Sequence, residues 1–340
     1  MTSLGSIVDI FILLILSFII ETKFYTNQRR GVKVYQGIEN FKPVQYPVVT
    51  TGTFDGVHLG HLTIINRLKE IARKENGETV LLTFFPHPRM VLQEDNDLKL
   101  INTLQEKIDL LEKAGVDHLI IQPFTKAFSR MTSLEFVRDL IVNKIGTKKL
   151  VIGYDHHFGR NREGSFEHLM EFGPLYGFEV EEIPAQDIDD VNVSSTKIRR
   201  ALENGDLKTA NEYLSHPFSL SGVVVDGEKL GRKLGYPTAN IKIEESFKLI
   251  PANGIYAARI ITALGTYKGM LNIGVRPTIE NADGSRTIEV NIFDFNEEIY
   301  GETITIQLIE RIREEKKFNS LDELIENMGK DKVNTLKILQ

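Results

Sequence analysis

Cysteine is absent from the 340 residues, which excludes disulfides, thiolate-bound zinc and thiolate-bound iron–sulfur clusters. A reducing compartment suits such a chain. Positive charge is also in short supply: 41 Lys and Arg against 47 Asp and Glu give a formal charge of −6. Proteins that grip a nucleic-acid backbone gather Lys and Arg to displace its counterions, so no nucleic-acid partner is expected. A small anion needs only a few backbone amides and one arginine. No Gly-x4-Gly-Lys-[Ser/Thr] stretch occurs, so a P-loop kinase is not supported.

A long apolar run is lacking as well. The run Ile10–Ile20 counts eleven residues, against roughly 20 for a helix that spans a bilayer. Its positive neighbours, Lys23, Arg29 and Arg30, follow the run instead of preceding it, and no small-residue cleavage site is present, unlike a signal peptide. Residues 1–31 are expected to be an extension from a misplaced start. Val32, a residue that an alternative initiation codon can encode, is the expected native start, which N-terminal sequencing of native protein would decide. A weak membrane contact through Ile10–Ile20 and a disordered tail are the alternatives. In each case the remainder is expected to stay in the cytoplasm.

What is there reads as two soluble domains. Length, a 41% hydrophobic content and 26% charged residues suit two cores. From Val48 to about Ile183, β-rich runs at Pro47–Gly52, Thr79–Phe84, His118–Gln122, Leu150–Gly153 and Phe178–Ile183 alternate with helical spacings. The helical patterns are Leu62, Ile65, Leu68 and Ala72; Leu104, Ile108 and Leu111; and Phe136, Val137, Leu140 and Ile141, the last opened by the capping box Thr132-Ser-Leu-Glu135. Such alternation predicts a parallel sheet with helices on both faces and ligands at the carboxyl ends of its strands.

After His216 the texture changes to strands at Leu220–Val225, Ala239–Ile243, Ile255–Ile261, Tyr267–Ile273, Thr287–Phe293 and Thr303–Ile309. These predict a small antiparallel barrel or sandwich, with a hairpin turn at Asn281-Ala-Asp-Gly284. Residues Thr196–Leu214 read as a helical connector. Leu321, Leu324, Ile325 and Met328 mark a closing amphipathic helix that packs on the β module.

One stretch carries the sharpest chemistry: Thr51-Gly-Thr-Phe-Asp-Gly-Val-His58-Leu-Gly-His61, where a strand gives way to a helix. Gly52 and Gly56 allow tight turns near a ligand, and the helix start offers free amides to phosphate. His58 and His61, three apart, can face one phosphate; the same spacing suits two metal ligands or two unrelated surface residues. A second element, Val193-Ser194-Ser195-Thr196-Lys197-Ile-Arg199, puts hydroxyls at a helix start and a guanidinium one turn in. Alone, it reads equally as an ordinary capped helix.

Together these elements resemble the His-x-Gly-His and Ser-Ser-Thr-x-x-Arg signatures of nucleotidyltransferases. The intervening Thr83-Phe-Phe-Pro-His-Pro88 and Gly153-Tyr-Asp-His-His-Phe-Gly159 narrow the resemblance to the FMN adenylyltransferase domain of bacterial bifunctional riboflavin kinase/FAD synthetases. Downstream, a glycine-spaced basic loop with Gly227, Gly231, Lys233 and Gly235 leads into Pro237-Thr-Ala-Asn240. With Gly254-Ile-Tyr-Ala257, Asn272-Ile-Gly-Val-Arg-Pro-Thr278, Glu289-Val-Asn-Ile-Phe-Asp-Phe295 and Ile312-Arg-Glu-Glu-Lys-Lys-Phe318, it resembles riboflavin kinase.

The resemblance implies a Rossmann-like α/β domain over 32–200, a helical linker over 201–216, and a six-stranded antiparallel β-barrel kinase with its C-terminal helix over 217–340. It implies catalytic His58, His61 and Arg199 in the first domain, with Gly52, Phe54, Asp55, Gly56, Ser195 and Thr196 on ATP. In the second it implies Glu289 as base, Gly231, Lys233, Thr238 and Asn240 on ATP, and Mg²⁺ at Thr238 and Asn240. His87 and Arg313 are candidates for flavin, the latter because a chain with no Trp must pack an isoalloxazine ring on other side chains. Asp155 is a candidate for ribose or magnesium; His156 and His157 receive no role. Asn291 stands where relatives often have His. The substrates implied are riboflavin, FMN and ATP. Two rival readings are another adenylyl- or cytidylyltransferase, such as one acting on pantetheine phosphate, and a flavin-binding protein that has lost activity.

Overall fold

The computed structural model describes residues 31–93, 97–184, 193–227, 231, 235–275 and 286–340. The Ile10–Ile20 run and the Asn281–Gly284 turn lie outside them. Among the described residues no helix is long and apolar enough to cross a membrane.

The first half is a six-stranded parallel sheet. Its strands are β1 (Lys33–Gln36), β2 (Pro47–Thr51), β3 (Glu78–Phe85), β4 (His118–Pro123), β5 (Lys149–Gly153) and β6 (Glu179–Ile183), in the order β1-β4-β3-β2-β5-β6. The five expected strands are present, and β1 adds an edge that pairs Lys33 with His118. β2 is buried along its whole length, because helices cover both faces of the sheet. They are α1 (Leu59–Lys74), α2 (Pro88–Leu92), α3 (Leu104–Ala114), α4 (Ser133–Glu135, continuing as the π-helix Phe136–Lys144) and α5 (Phe166–Tyr176). The capping box at Thr132 forms as expected. A second one forms at Thr103, at the head of α3. A left-handed Gly115 (φ 84°) ends that helix.

The second half closes into a barrel. β7 (Phe218–Val225), β8 (Ala239–Lys242), β9 (Gly254–Thr262), β10 (Gly265–Val275), β11 (Arg286–Ile292) and β12 (Thr303–Arg313) run in the order β10-β11-β8-β7-β12-β9. Closure leaves no free edge, which decides barrel over sandwich.

Two helices precede the barrel, α6 (Ser195–Glu203) and α7 (Leu207–Leu214), separated by a left-handed Gly205 (φ 75°) and capped by Asp206. They are more than a connector. Ile198, Leu202, Leu207, Ala210 and Leu214 join Phe218, Leu220 and Ile306 in one buried core, and Ile101 from the first half enters it too.

The closing helix α8 (Leu321–Ile338) packs on the barrel as expected, with Leu324 and Met328 partly buried on the face that carries Asp331 and Thr335, while Leu321 and Ile325 are exposed. Leu321 is 59% exposed, whereas Asp331 and Thr335 are buried. The reason is Arg313, whose Nε and Nη2 grip the Asp331 carboxylate at 3.0 and 2.7 Å. A bidentate pair of this kind sets the register of the helix.

Candidate active sites

The carboxyl edge of the parallel sheet brings the two distant signatures together. Beyond β2, the loop holds Phe54 at φ 48° and Val57 at φ 42°. Left-handed backbone at non-glycine residues costs of order 1–3 kcal/mol each and persists only where the surroundings enforce it. Here Asp55 enforces it. Its buried carboxylate accepts from Ile101 N (3.0 Å) and Asn102 N (3.3 Å) and pairs with Arg199 Nη2 at 2.5 Å. Arg199 Nε donates to Lys99 O at 2.8 Å, and Ser195 Oγ to Asp55 O at 2.9 Å. The loop is pinned from its other side by Lys107 Nζ and Thr83 Oγ1, both donating to Thr53 O at 2.8 and 3.2 Å.

His58 is the residue from which α1 starts. Its ring stacks on that of His61 at 3.7 Å, with 18° between planes, and the Phe54 ring closes the stack 4.8 Å from His61. The Nδ1 atoms of both histidines are buried with no protein partner. Such unpartnered polar atoms call for a ligand or water. Burial lowers the His58 pKa to about 4, Asp55 opposing and Arg199 reinforcing the shift. His61 is lowered well below its usual value by burial, with His58 and Lys107 adding to it. Both rings are therefore neutral at neutral pH and carry one N–H each.

The remaining sequence candidates fall around this centre. Gly56 (φ 92°) turns its missing side chain towards Ile101 and Leu214, where a Cβ would lie 3.0 and 3.3 Å away; a Cβ on Gly52 would lie 3.0 Å from the Phe54 ring. Thr196 is exposed in the first turn of α6. His87 caps α2, its Nδ1 accepting from Arg89 N at 3.2 Å, and burial lowers it to about 4. Asp155 stands exposed after β5. His156 beside it is lowered to about 4 by burial, with an unpartnered Nε2.

Lys107 was not among the sequence candidates. It is buried, 3% exposed, on the face of α3 that also carries Leu104, Ile108 and Leu111. A lysine at an apolar-face position is the signal that could have found it.

In the barrel, Glu289 of β11 lies directly across from Asn240 of β8. Ile288, Val290 and Ile292 join the core, so Glu289 and Asn291 alternate to the other face of the strand. Thr238 Oγ1 reaches Glu289 Oε2 at 3.5 Å, and Asn291 Nδ2 donates to Pro237 O at 2.6 Å. Asn291 thus holds the Pro-Thr-Ala-Asn segment by its backbone. A Cβ on Gly227 would lie 1.9 Å from Asn240 Nδ2, and one on Gly231 3.2 Å from Thr238 Oγ1, so both glycines clear space for polar side chains. Next to Thr238 opens a cavity of about 350 Å³, lined among others by Val224, Pro237, Val290, Phe295 and Tyr300. That is the lower end of the range for small-molecule pockets. Arg313 gives its fork to Asp331 and lies over the Phe318 ring at 5.6 Å. Lys233 lies outside the described residues.

Comparison with known proteins agrees with this division. The FAD synthetase family model matches residues 42–197, and the riboflavin kinase model matches residues 214–339. The chain is 37% identical over 303 residues to a bifunctional riboflavin kinase/FMN adenylyltransferase of Buchnera aphidicola subsp. Schizaphis graminum, covering 88% of this chain and 96% of that protein. With the protein of the same description from Bacillus subtilis, identity is 37% over 294 residues, covering 85% and 92%. A solved structure described as a macrolide-efflux protein from Streptococcus pneumoniae superposes with a TM-score of 0.80 at 30% identity, covering 89% of this chain and 99% of that one. Two domain models in the same order, with near-complete coverage of relatives, make the conclusion direct: this chain belongs to the bifunctional riboflavin kinase/FMN adenylyltransferase family.

Proposed function

We propose that the barrel phosphorylates riboflavin to FMN and the parallel-sheet domain adenylylates FMN to FAD, each with ATP. The observation that carries the reading is the Asp55–Arg199 pair, which joins signatures 144 residues apart beside the stacked His58 and His61. In the adenylylation, a phosphate oxygen of FMN attacks the α-phosphorus of ATP, the α–β phosphoanhydride bond breaks, and pyrophosphate leaves. Charge develops on the leaving group. The His58 and His61 N–H groups and the Arg199 guanidinium supply fixed donors for it, with Ser195 and Thr196 at the start of α6 for the outer phosphates.

In the kinase step the ribityl 5'-hydroxyl attacks the γ-phosphorus, its proton passes to Glu289, and ADP leaves. Thr238 and Asn240 offer neutral oxygens beside this carboxylate. Among the described residues no group of three His, Asp or Glu is arranged to hold a metal. This donor set fits Mg²⁺, which keeps waters and binds chiefly through substrate phosphates. Thr238 and Asn240 would hold the ion, and its chemistry there would be neutralisation of charge on the substrate phosphates. Glu289 and Asn240 need only hold their places on paired strands. Arg313 and His87 remain the proposed flavin contacts, Arg313 through the stem left outside its pair with Asp331. Dependence on ATP in both steps points to the cytoplasm.

Proton linkage tests the placement of ATP on the histidines. In the free protein burial holds His58 down at about 4 and His61 well below its usual value. A triphosphate beside them favours the charged form and raises both values, so the bound state holds more protons than the free state. Binding then tightens as pH falls towards the free-protein value of about 4 for His58. Calorimetry near pH 6, about half a unit below the usual histidine pKa, in buffers of different ionisation enthalpy is expected to report proton uptake that shrinks in His61→Ala. Identical uptake in wild type and variant would place the triphosphate elsewhere.

A further inference from the structure

We propose that Lys248, a residue of the barrel, is a positioning residue for adenylyl transfer in the other domain. It lies in the connection between β8 and β9, its side chain wholly buried. Its Nζ donates to Glu106 Oε2 at 2.5 Å and to Ile101 O at 2.7 Å, over the Phe218 ring at 4.6 Å. Neither acceptor belongs to the barrel. Ile101 is the residue whose N–H binds Asp55, so one residue is held by Lys248 through its carbonyl and by the adenylylation site through its amide.

The neighbours of Ile101 repeat the pattern. Lys99 O accepts from Arg199 Nε. Leu100 N donates to Phe247 O at 2.7 Å, and Leu249 N donates to Leu100 O at 2.8 Å, a short parallel bridge to the barrel. Asn102 N returns to Asp55. Glu106 closes the arrangement. Its Oε1 accepts from Ser221 N of β7 at 3.1 Å, while its Oε2 accepts from Thr103 N. Segment Lys99–Asn102 is therefore a strap: one edge orients Asp55 and Arg199, and the other is fastened to the kinase barrel, with Lys248 the only charged fastener that donates to it from the barrel among the described contacts.

The physical consequence follows from what Arg199 must do. A guanidinium serves a transferring phosphoryl group only if its direction is held, and a displacement of about 1 Å costs on the order of a hundredfold in rate. Three of the groups that fix that direction, Lys99 O and the amides of Ile101 and Asn102, lie on the strap. Lys248 touches no reacting atom and acts through them. The inference rests on the assignment of Asp55 and Arg199 to the adenylylation site.

The test uses the full chain, in which kinase turnover reports independently on the fold of the barrel. In Lys248→Met, kcat for FMN to FAD is expected to fall by about ten- to a hundredfold, with KM for ATP and FMN and the riboflavin kinase rate within about twofold of wild type. Loss of the lysine leaves Glu106 buried and unpaired, a strongly destabilising change. The double variant Glu106→Gln/Lys248→Met removes that charge and is expected to regain thermal stability while adenylylation stays depressed. Wild-type adenylylation in either variant, or a parallel fall of both activities, overturns the inference. Arg199→Ala measured alongside separates the two readings. Adenylylation lost in Arg199→Ala but intact in Lys248→Met overturns the strap alone, and adenylylation intact in both overturns the site assignment beneath it.

Discussion

Glu289→Gln is expected to lower riboflavin phosphorylation by about a hundred- to ten-thousandfold, the range of a general base in proton transfer, while FMN is still converted to FAD at the wild-type rate. The substitution keeps shape and an acceptor oxygen for Thr238 Oγ1, and leaves the pairing of position 289 with Asn240 to the backbone. What it removes is the negative charge that takes up the hydroxyl proton. Because Glu289 is half-buried on a strand whose core side is Ile288 and Val290, melting temperature is expected to stay near that of wild type. Separate assays with riboflavin and with FMN as substrate read the effect. Equal losses in both would place one carboxylate in both reactions and contradict two sites.

His61→Ala is expected to do the reverse. Removing one fixed donor from a developing oxyanion typically costs about a hundred- to a thousandfold in kcat, and here it also takes away one half of the His58–His61 stack. His58 would then lose its neighbour 3.7 Å away and gain freedom to turn. The kinase rate is expected to be unchanged, since no barrel side chain touches the ring in the contacts described. A residual adenylylation within about threefold of wild type, small against the range expected for a lost oxyanion donor, would remove His61 from the chemistry.

Much of this was legible in the sequence, because local rules govern it. Period-two runs marked the barrel strands, and strand–helix alternation marked the parallel sheet. The strand β1 was not, since Lys-Val-Tyr-Gln is four residues with polar ends, and only its pairing with β4 makes it a strand. The packed face of α8 was only partly legible for a related reason. Apolar periodicity marked Leu321, Leu324, Ile325 and Met328, of which Leu324 and Met328 lie on the packed face, whereas the Arg313–Asp331 pair that brings Asp331 inward leaves no trace in that pattern. Long-range partners decide such cases, and a window of sequence contains none of them.

The site divides along the same line. The signatures holding His58, His61, Arg199, Thr238, Asn240 and Glu289 were readable as motifs at fixed spacing. Asp55 was read as an ATP contact, whereas the structure shows what its carboxylate does for the fold: it binds Arg199 and two backbone amides. Lys107 and Lys248 carry no local motif. Each looks like a solvated lysine until tertiary packing buries it, and burial of an ammonium is what marks it as a positioned group.

One chain thus performs two ATP-dependent reactions on flavin in sequence. The most direct test is a time course of the purified protein with riboflavin, ATP and Mg²⁺, with FMN and FAD separated by chromatography. FMN is expected to appear first and FAD to follow, and chelation of the metal is expected to stop both. No flavin product from riboflavin, under conditions in which added FMN also stays unchanged, would contradict it.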